Sequence, residues 1–132
     1  MIPKYRIWVE AEETMHPVLE LDWSGVGDDL TAFVPMGKTS LRAVSIDGAV
    51  LMQSTGKKDS TGKVEVFVGD ILYYPDQDEY NYGIIEFDED KLAFVLDNGY
   101  EKFVYGDYGM DKVVGNIYQN KDLADYILGG NQ

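Results

Sequence analysis

The chain has 132 residues, with 11 basic and 24 acidic side chains and hence a formal charge of −13. That excess excludes direct binding of nucleic-acid backbones, where affinity comes from Lys and Arg replacing counterions, and it disfavours anionic membranes. The 45% hydrophobic fraction is enough for one domain with a packed core, so disorder is not expected.

Alternating side chains and turn residues predict ten strands: Tyr5–Val9, Val18–Trp23, Thr31–Val34, Ala49–Gln53, Val64–Phe67, Ile71–Tyr74, Gly83–Phe87, Leu92–Leu96, Lys102–Tyr105 and Val113–Tyr118. Every side chain from Leu92 to Leu96 is apolar, which predicts burial on both faces. Val64-Glu65-Val66 alternates and predicts one wet face. Turn clusters separate the strands at residues 24–29, 47–48, 59–62, 97–99 and 105–109. Such spacing indicates a small barrel or sandwich. One helix is expected, near 121–128. Asn120 would cap it, Asp122 would sit in its first turn, and Gly129-Gly130 would end it. Leu123 with Ile127 and Ala124 with Leu128 form its apolar stripe. A helix this short needs support, from the sheet in preference to a neighbouring subunit.

The charge is uneven. Residues 1–69 hold 7 basic and 10 acidic side chains, whereas residues 70–132 hold 4 and 14, a balance of −10. Lys57, Lys58 and Lys63 form the local basic cluster, read as a solvated hairpin loop or a contact site for an acidic partner.

Motifs for catalysis are wanting. His16, the only histidine, lies in a turn-like Thr14-Met15-His16-Pro17 segment, and no Gly-x-Ser-x-Gly elbow occurs. Asp76-Gln77-Asp78-Glu79 and Asp88-Glu89-Asp90 are the densest carboxylate groups. A calcium loop starting at Asp76 would need Gly and Glu where Asn81 and Phe87 stand. Solvated hairpin tips explain both groups better, with weak calcium or magnesium binding as the alternative. No phosphate-binding glycine loop is present, and cysteine is absent, so there is neither a disulfide nor a thiolate site. No enzyme, cofactor or metal is expected. The opening residues lack the apolar run of about 7–15 residues that a signal peptide needs. The longest clearly apolar run, Ala49–Met52, is far short of the roughly 20 residues that span a bilayer. A soluble cytoplasmic protein is the expectation.

Three segments carry a resemblance: Met1-Ile2-Pro3-Lys4-Tyr5-Arg6-Ile7-Trp8; Leu51 to Val64 (with Ser54-Thr55-Gly56-Lys57-Lys58-Asp59-Ser60-Thr61-Gly62-Lys63 at its centre) continuing through Phe67-Val68-Gly69-Asp70-Ile71; and Val113-Val114-Gly115-Asn116-Ile117-Tyr118-Gln119-Asn120. In order and spacing they resemble the YopX family of small phage and prophage proteins. Where members often read Ile-Tyr-Glu-Gly-Asp, this chain has Val66-Phe67-Val68-Gly69-Asp70, so the acid before the glycine is lost.

The resemblance implies a mainly β fold: a small, partly open SH3-like barrel with additional strands and a short C-terminal helix. It places the N-terminal strands at 1–53, the barrel at about 54–118 and the helix at about 121–128, all within one domain. It brings no catalytic residues. Gly56, Asp59, Gly62, Gly69, Asp70, Gly115 and Asn116 are read as structural motif positions, and Gly83 as a site of sharp coiling or close backbone approach. Asp70 is expected to cap a turn through its carboxylate. The functional expectation is a phage-encoded, non-enzymatic module that binds an unknown protein partner and forms a homo-oligomer, as its aromatic content suggests. The alternative is an acidic decoy that imitates DNA phosphates and occupies a host nucleic-acid-binding protein.

Overall fold

The computed structural model describes residues 4–25, 29–76, 79–106 and 111–129, without the side chains at 75, 76, 79 and 80. The opening residues 1–3, parts of the turns at 24–29 and 105–109, the centre of the 76–79 carboxylate group and Gly130 therefore lie outside the described residues. The chain divides into two compact units, Met1–Gln53 and Ser54–Gln132.

The first unit holds β1 (Tyr5–Val9), β2 (Thr14–Pro17), β3 (Glu20–Asp22), β4 (Thr31–Met36), β5 (Ser40–Ser45) and the first half of β6 (Ala49–Lys58). β1 pairs antiparallel with both β2 and β6, with Ile7 opposite His16 on one side and Leu51 on the other. A second sheet has the order β3-β4-β5. Ile7 and Val9 of one sheet and Ala32, Val34 and Val44 of the other close a single core.

Two of these strands depart from expectation. β2 replaces the turn expected around His16; its Pro17 is tolerated because β2 is an edge strand with an unpaired side. β5 escapes the pattern because Arg42 shares the inward face with the core residue Val44 while Leu41 lies on the outer face. Arg42 and Val44 stand opposite the inward-facing Val34 and Ala32, while Leu41 and Ala43 point the other way.

The second unit begins where β6 changes partner. Ser54 and Lys58 pair with Phe67 and Glu65 of β7 (Glu65–Phe67). The remaining strands are β8 (Asp70–Asp76), β9 (Glu79–Asp88), β10 (Ala93–Asp97), β11 (Lys102–Val104) and β12 (Lys112–Asn116), followed by α1 (Lys121–Leu128). They build a five-stranded antiparallel sheet of order β11-β10-β9-β8-β12, curled into a half barrel. The fold is mainly β with one short C-terminal helix.

Period-two alternation clothes both faces of this sheet. Leu72, Tyr74, Ile85 and Leu96 share one face with Val66 and Tyr105. Ile71 and Ile84 share the other with Ala124 and Ile127 of the helix. The helix thus docks on the sheet, but through Ala124 and Ile127; Leu128 is half exposed. Gly83 sits where a Cβ would lie 2.6 Å from Leu96 Cδ2 and 3.2 Å from Tyr74 Cε1, so the sheet closes tightly there.

Other boundaries shift. Only Glu20–Asp22 of the expected Val18–Trp23 strand is ladder-paired, and β12 ends at Asn116. Leu92 lies outside β10, 78% exposed at φ +51°, and Val64 precedes β7 and is exposed. Asn120 precedes the helix without capping it through its side chain.

Candidate functional site

The stretch from Ser54 to Lys63 holds the densest group of motif residues. β6 carries two more residues between its pairs with β7 than β7 does, so the strand must bulge. Gly56, at φ +81°, takes the left-handed conformation of that bulge. The hydroxyls of Ser54 and Thr55 accept the amides of Gly56 and Lys57, at 3.0 and 3.2 Å, and Thr55 donates to the Val66 carbonyl at 2.8 Å. Hydroxyl side chains therefore satisfy backbone groups that the irregular ladder leaves unpaired.

Beyond the bulge the chain turns at Asp59. The Asp59 amide donates to the Val64 carbonyl, and the Gly62 amide donates back to the Asp59 carbonyl. Gly62 closes the turn at φ +73°. The Asp59 side chain is 5% exposed. One carboxylate oxygen accepts the Thr61 hydroxyl and the Thr61 amide; the other accepts the Val113 amide at 3.1 Å. Burial pushes the Asp59 carboxyl up, but the Thr61 hydroxyl and the backbone bonds to Val113, Thr61 and Val64 outweigh it and hold the group below the usual carboxylate range. A second stitch runs alongside, where the Ser60 amide and hydroxyl both donate to the Asp111 carbonyl.

The hairpin end, through Lys57, Lys58, Asp59, Ser60 and Gly62, frames a cleft of about 410 Å³ together with Tyr105, Gly106 and Asp111. Asp111 is buried, and Tyr105 Oη donates to its carboxylate at 3.4 Å. Lys57, Lys58 and Lys63 are exposed and form no ion pair among the described residues. Arg42 and Lys102, in contrast, pair with Glu12 and Glu86 at 2.6 and 3.2 Å. Two lysines and two carboxylates, Asp59 and Asp111, thus line the cleft, and internal donors bond both Asp59 oxygens.

The sequence motif residues separate into this cleft and two junctions elsewhere. Lys57, Lys58, Asp59 and Gly62 line the cleft; Lys63 and Gly56 are not in its lining. Gly69, at φ +92°, donates its amide to Ile85 and accepts the amide of Ile117. Asp70, 1% exposed, accepts the Phe67 amide at 2.8 Å and so closes the β7–β8 turn. Asn116 Oδ1 accepts the amides of Tyr118 and Gln119, and its own amide donates to Asn120 Oδ1 at 3.0 Å. A Cβ on Gly115 would collide with the Asn120 side chain, so glycine lets that side chain close over β12.

Ser60, Tyr105 and Gly106 are legible in the sequence only as strand or turn residues, and Asp111 carries no local signal. Their contribution depends on which distant segments the sheet brings together. His16 bonds to Thr14 Oγ1 at 2.8 Å within β2. Of the carboxylate groups, Asp88-Glu89-Asp90 forms the β9–β10 turn, with Asp88 Oδ1 accepting the amides of Asp90 and Lys91. Among the described residues no group of three or more His, Asp or Glu side chains could hold a metal, and no helix is long and apolar enough to cross a membrane.

Comparison with known proteins gives a consistent family. A family model described as YopX protein matches residues 4–125. Among solved structures, protein EF1440 from Enterococcus faecalis is 26% identical, with 93% of this chain and 98% of that chain covered at a TM-score of 0.63. Protein yopX from Bacillus subtilis, 23% identical, is similar in fold over 91% of this chain and 96% of its own, again at 0.63. A search of curated proteins returns no match.

Proposed function

This chain belongs to the YopX family, and from that premise we propose that it is a phage- or prophage-encoded, non-enzymatic β module of the bacterial cytoplasm. It binds protein, and its first partner is another copy of itself.

The observation that carries this reading is the outer face of the β4–β5 hairpin. Ala32, Val34 and Val44 face the core, so Phe33 and Pro35 of β4 and Leu41 and Ala43 of β5 lie on the opposite face. Pro35 is paired with Leu41 and Phe33 with Ala43, which makes the four residues one contiguous apolar patch. Leu41 is 49% exposed, and Met36 at the hairpin end is 52% exposed. Scattered apolar side chains in solvent are ordinary, but a contiguous patch points to an interface.

Light scattering across a range of concentrations tests the reading. Association above the monomer mass is expected, weakened by Leu41→Glu. A strict monomer at high concentration overturns the self-association. Affinity capture from host lysate, before and after phage induction, then separates a self-assembling module from an acidic decoy. The decoy requires salt-sensitive retention of a basic host protein.

A further inference from the structure

We propose that β5 pairs antiparallel with β5 of a second copy, about a twofold axis at Ala43, and so extends the β3-β4-β5 sheet across both chains. This pairing rests on the self-association above and gives it a strand, a register and a symmetry.

A strand with an unpaired side templates further pairing unless something blunts it. Among the described residues the other edge strands of the three sheets are blunted. β2 ends in Pro17. β3, β7 and β11 are three residues long, and each carries charge: Glu20 and Asp22, Glu65, and Lys102. β12 opens on Lys112 and is bulged between Val113 and Gly115. β5 has six residues in unbroken register with β4, and neither proline nor lysine. Its one charge, Arg42, is turned inward, which also discourages pairing; Glu12 neutralises that charge at 2.6 Å.

Two backbone bonds fix which groups of β5 are unused. The Leu19 amide donates to the Phe33 carbonyl at 2.8 Å, so Phe33 turns its polar groups toward the β3 side of β4. Along an antiparallel strand, successive residues turn theirs to opposite sides. Ala32, Val34 and Met36 therefore bond to Val44, Arg42 and Ser40. The Ile46 amide continues that series by donating to the Leu30 carbonyl at 2.9 Å. The N–H and C=O groups of Leu41, Ala43 and Ser45 are left pointing to the free side, and all three residues are exposed.

A second β5 fits this edge. Copies that each carry −13 repel one another at long range, but Leu30 to Ile46 is the longest stretch of the chain without an acid and holds Lys38 and Arg42. Antiparallel pairing exchanges the strand ends. It sets the turn at 37–39 of one copy, with Lys38, beside the turn at 46–48 of the other, with Asp47, and the twofold axis repeats the contact. Both charges are exposed, and neither forms an ion pair among the described residues. Centred on Ala43, the register opposes Ala43 to itself, Leu41 to Ser45 and Arg42 to Val44. The smallest side chain then sits on the axis, and no like charges face each other. The apolar outer faces of the two hairpins, Phe33, Pro35, Leu41 and Ala43, come to lie side by side.

Cross-linking by position tests the register. The chain has no cysteine, so an introduced one reports the symmetry directly. Residues opposed on the axis lie about 5.5 Å apart, within disulfide reach, whereas the two copies of residue 45 lie about 14 Å apart. Under mild oxidation Ala43→Cys is expected to form a disulfide dimer, as is Leu41→Cys mixed with Ser45→Cys; Ser45→Cys alone is not. In wild type, hydrogen exchange at the Leu41, Ala43 and Ser45 amides should slow as concentration rises, with Arg42 and Val44 unchanged. Ala43→Pro removes a donor that the fold does not use, so it should still melt cooperatively yet associate about tenfold more weakly or worse. Wild type that associates while those three amides keep exchanging freely, with Ala43→Cys no readier to cross-link than Ser45→Cys, overturns this pairing and leaves self-association standing. A wild type that stays monomeric overturns both. Protection of the three amides only after host lysate is added gives the edge to another protein and overturns the second copy as its occupant.

Discussion

The carboxylate of Asp59 accepts the amide of Val113 at 3.1 Å across a separation of 54 residues. One buried acid thereby ties the end of the β6–β7 hairpin to β12. Replacing it with Asn keeps the volume but turns one acceptor into a donor that faces an N–H group. Asp59→Asn is expected to cost about 1–3 kcal/mol of unfolding free energy, measured by urea denaturation at neutral pH.

The same group carries a pH dependence whose sign is fixed. Hydrogen bonds hold the folded Asp59 pKa below its unfolded value, despite burial. Its contribution is therefore complete above the unfolded pKa, which is about 3.9, and is lost as pH falls through the lower folded value. Asp59→Asn should flatten the acid limb of the wild-type stability curve in that window. Parallel acid limbs for the two proteins would show that Asp59 is not a source of the dependence.

Gly115 and Asn120 form a coupled pair. Any Cβ at 115 meets the side chain that accepts the Asn116 amide. Gly115→Ala is expected to cost about 1–3 kcal/mol, as overpacking does in other tight sites. Asn120→Ala leaves the Asn116 amide without that acceptor, yet it also removes the obstacle. The double variant should accordingly be more stable than the sum of the two single losses predicts, a deviation read from a double-mutant cycle. Additive losses would mean that the two residues do not act on each other.

How much of this was legible in the sequence follows from how local each signal is. β4 alternates against the first unit's core, whereas β1, β8 and β10 bury consecutive apolar residues; all four were legible to within a few residues of their bounds. β5 was not, because Arg42 occupies an inward-facing position and spends its charge on Glu12 at 2.6 Å while Leu41 faces solvent. The period holds at Val44, which faces the core, and is inverted only at Leu41 and Arg42. β6 was cut short at Gln53 because Ser54-Thr55-Gly56 has the composition of a turn; in the fold those residues bulge and the strand resumes to Lys58. Asp59 and the lysines were visible as a motif. Their company was not: Tyr105 and Asp111 reach the cleft only through the pairing of strands remote in sequence.

Gly83 and Leu96 occupy one face of the sheet so closely that a methyl group at 83 would lie 2.6 Å from Leu96 Cδ2. Gly83→Ala is expected to destabilise by about 1–3 kcal/mol. Leu96→Val in the Gly83→Ala background should recover part of that loss, although the same change alone is destabilising through lost burial. Thermal melts of the four proteins give the comparison. Equal penalties for Leu96→Val in both backgrounds would mean that Leu96 is not what the new methyl group meets.

The helix gives the sharpest contrast between neighbouring positions. By sequence, Ile127 and Leu128 are both members of i, i+4 apolar pairs. In the fold Ile127 is fully buried against Ile71 and Ile84, whereas Leu128 is 52% exposed. Truncating Ile127 removes buried methylenes and leaves a cavity between helix and sheet, so Ile127→Ala should cost about 2–5 kcal/mol. Leu128→Ala removes half-solvated surface and exchanges Leu for the better helix former, so a change within about 0.5 kcal/mol is expected. An eight-residue helix cannot persist unaided in water. Amide hydrogen exchange should therefore show residues 121–128 losing protection in Ile127→Ala before the strands do, and retaining it in Leu128→Ala. Comparable exchange in the two variants would place the docking contact elsewhere on the helix.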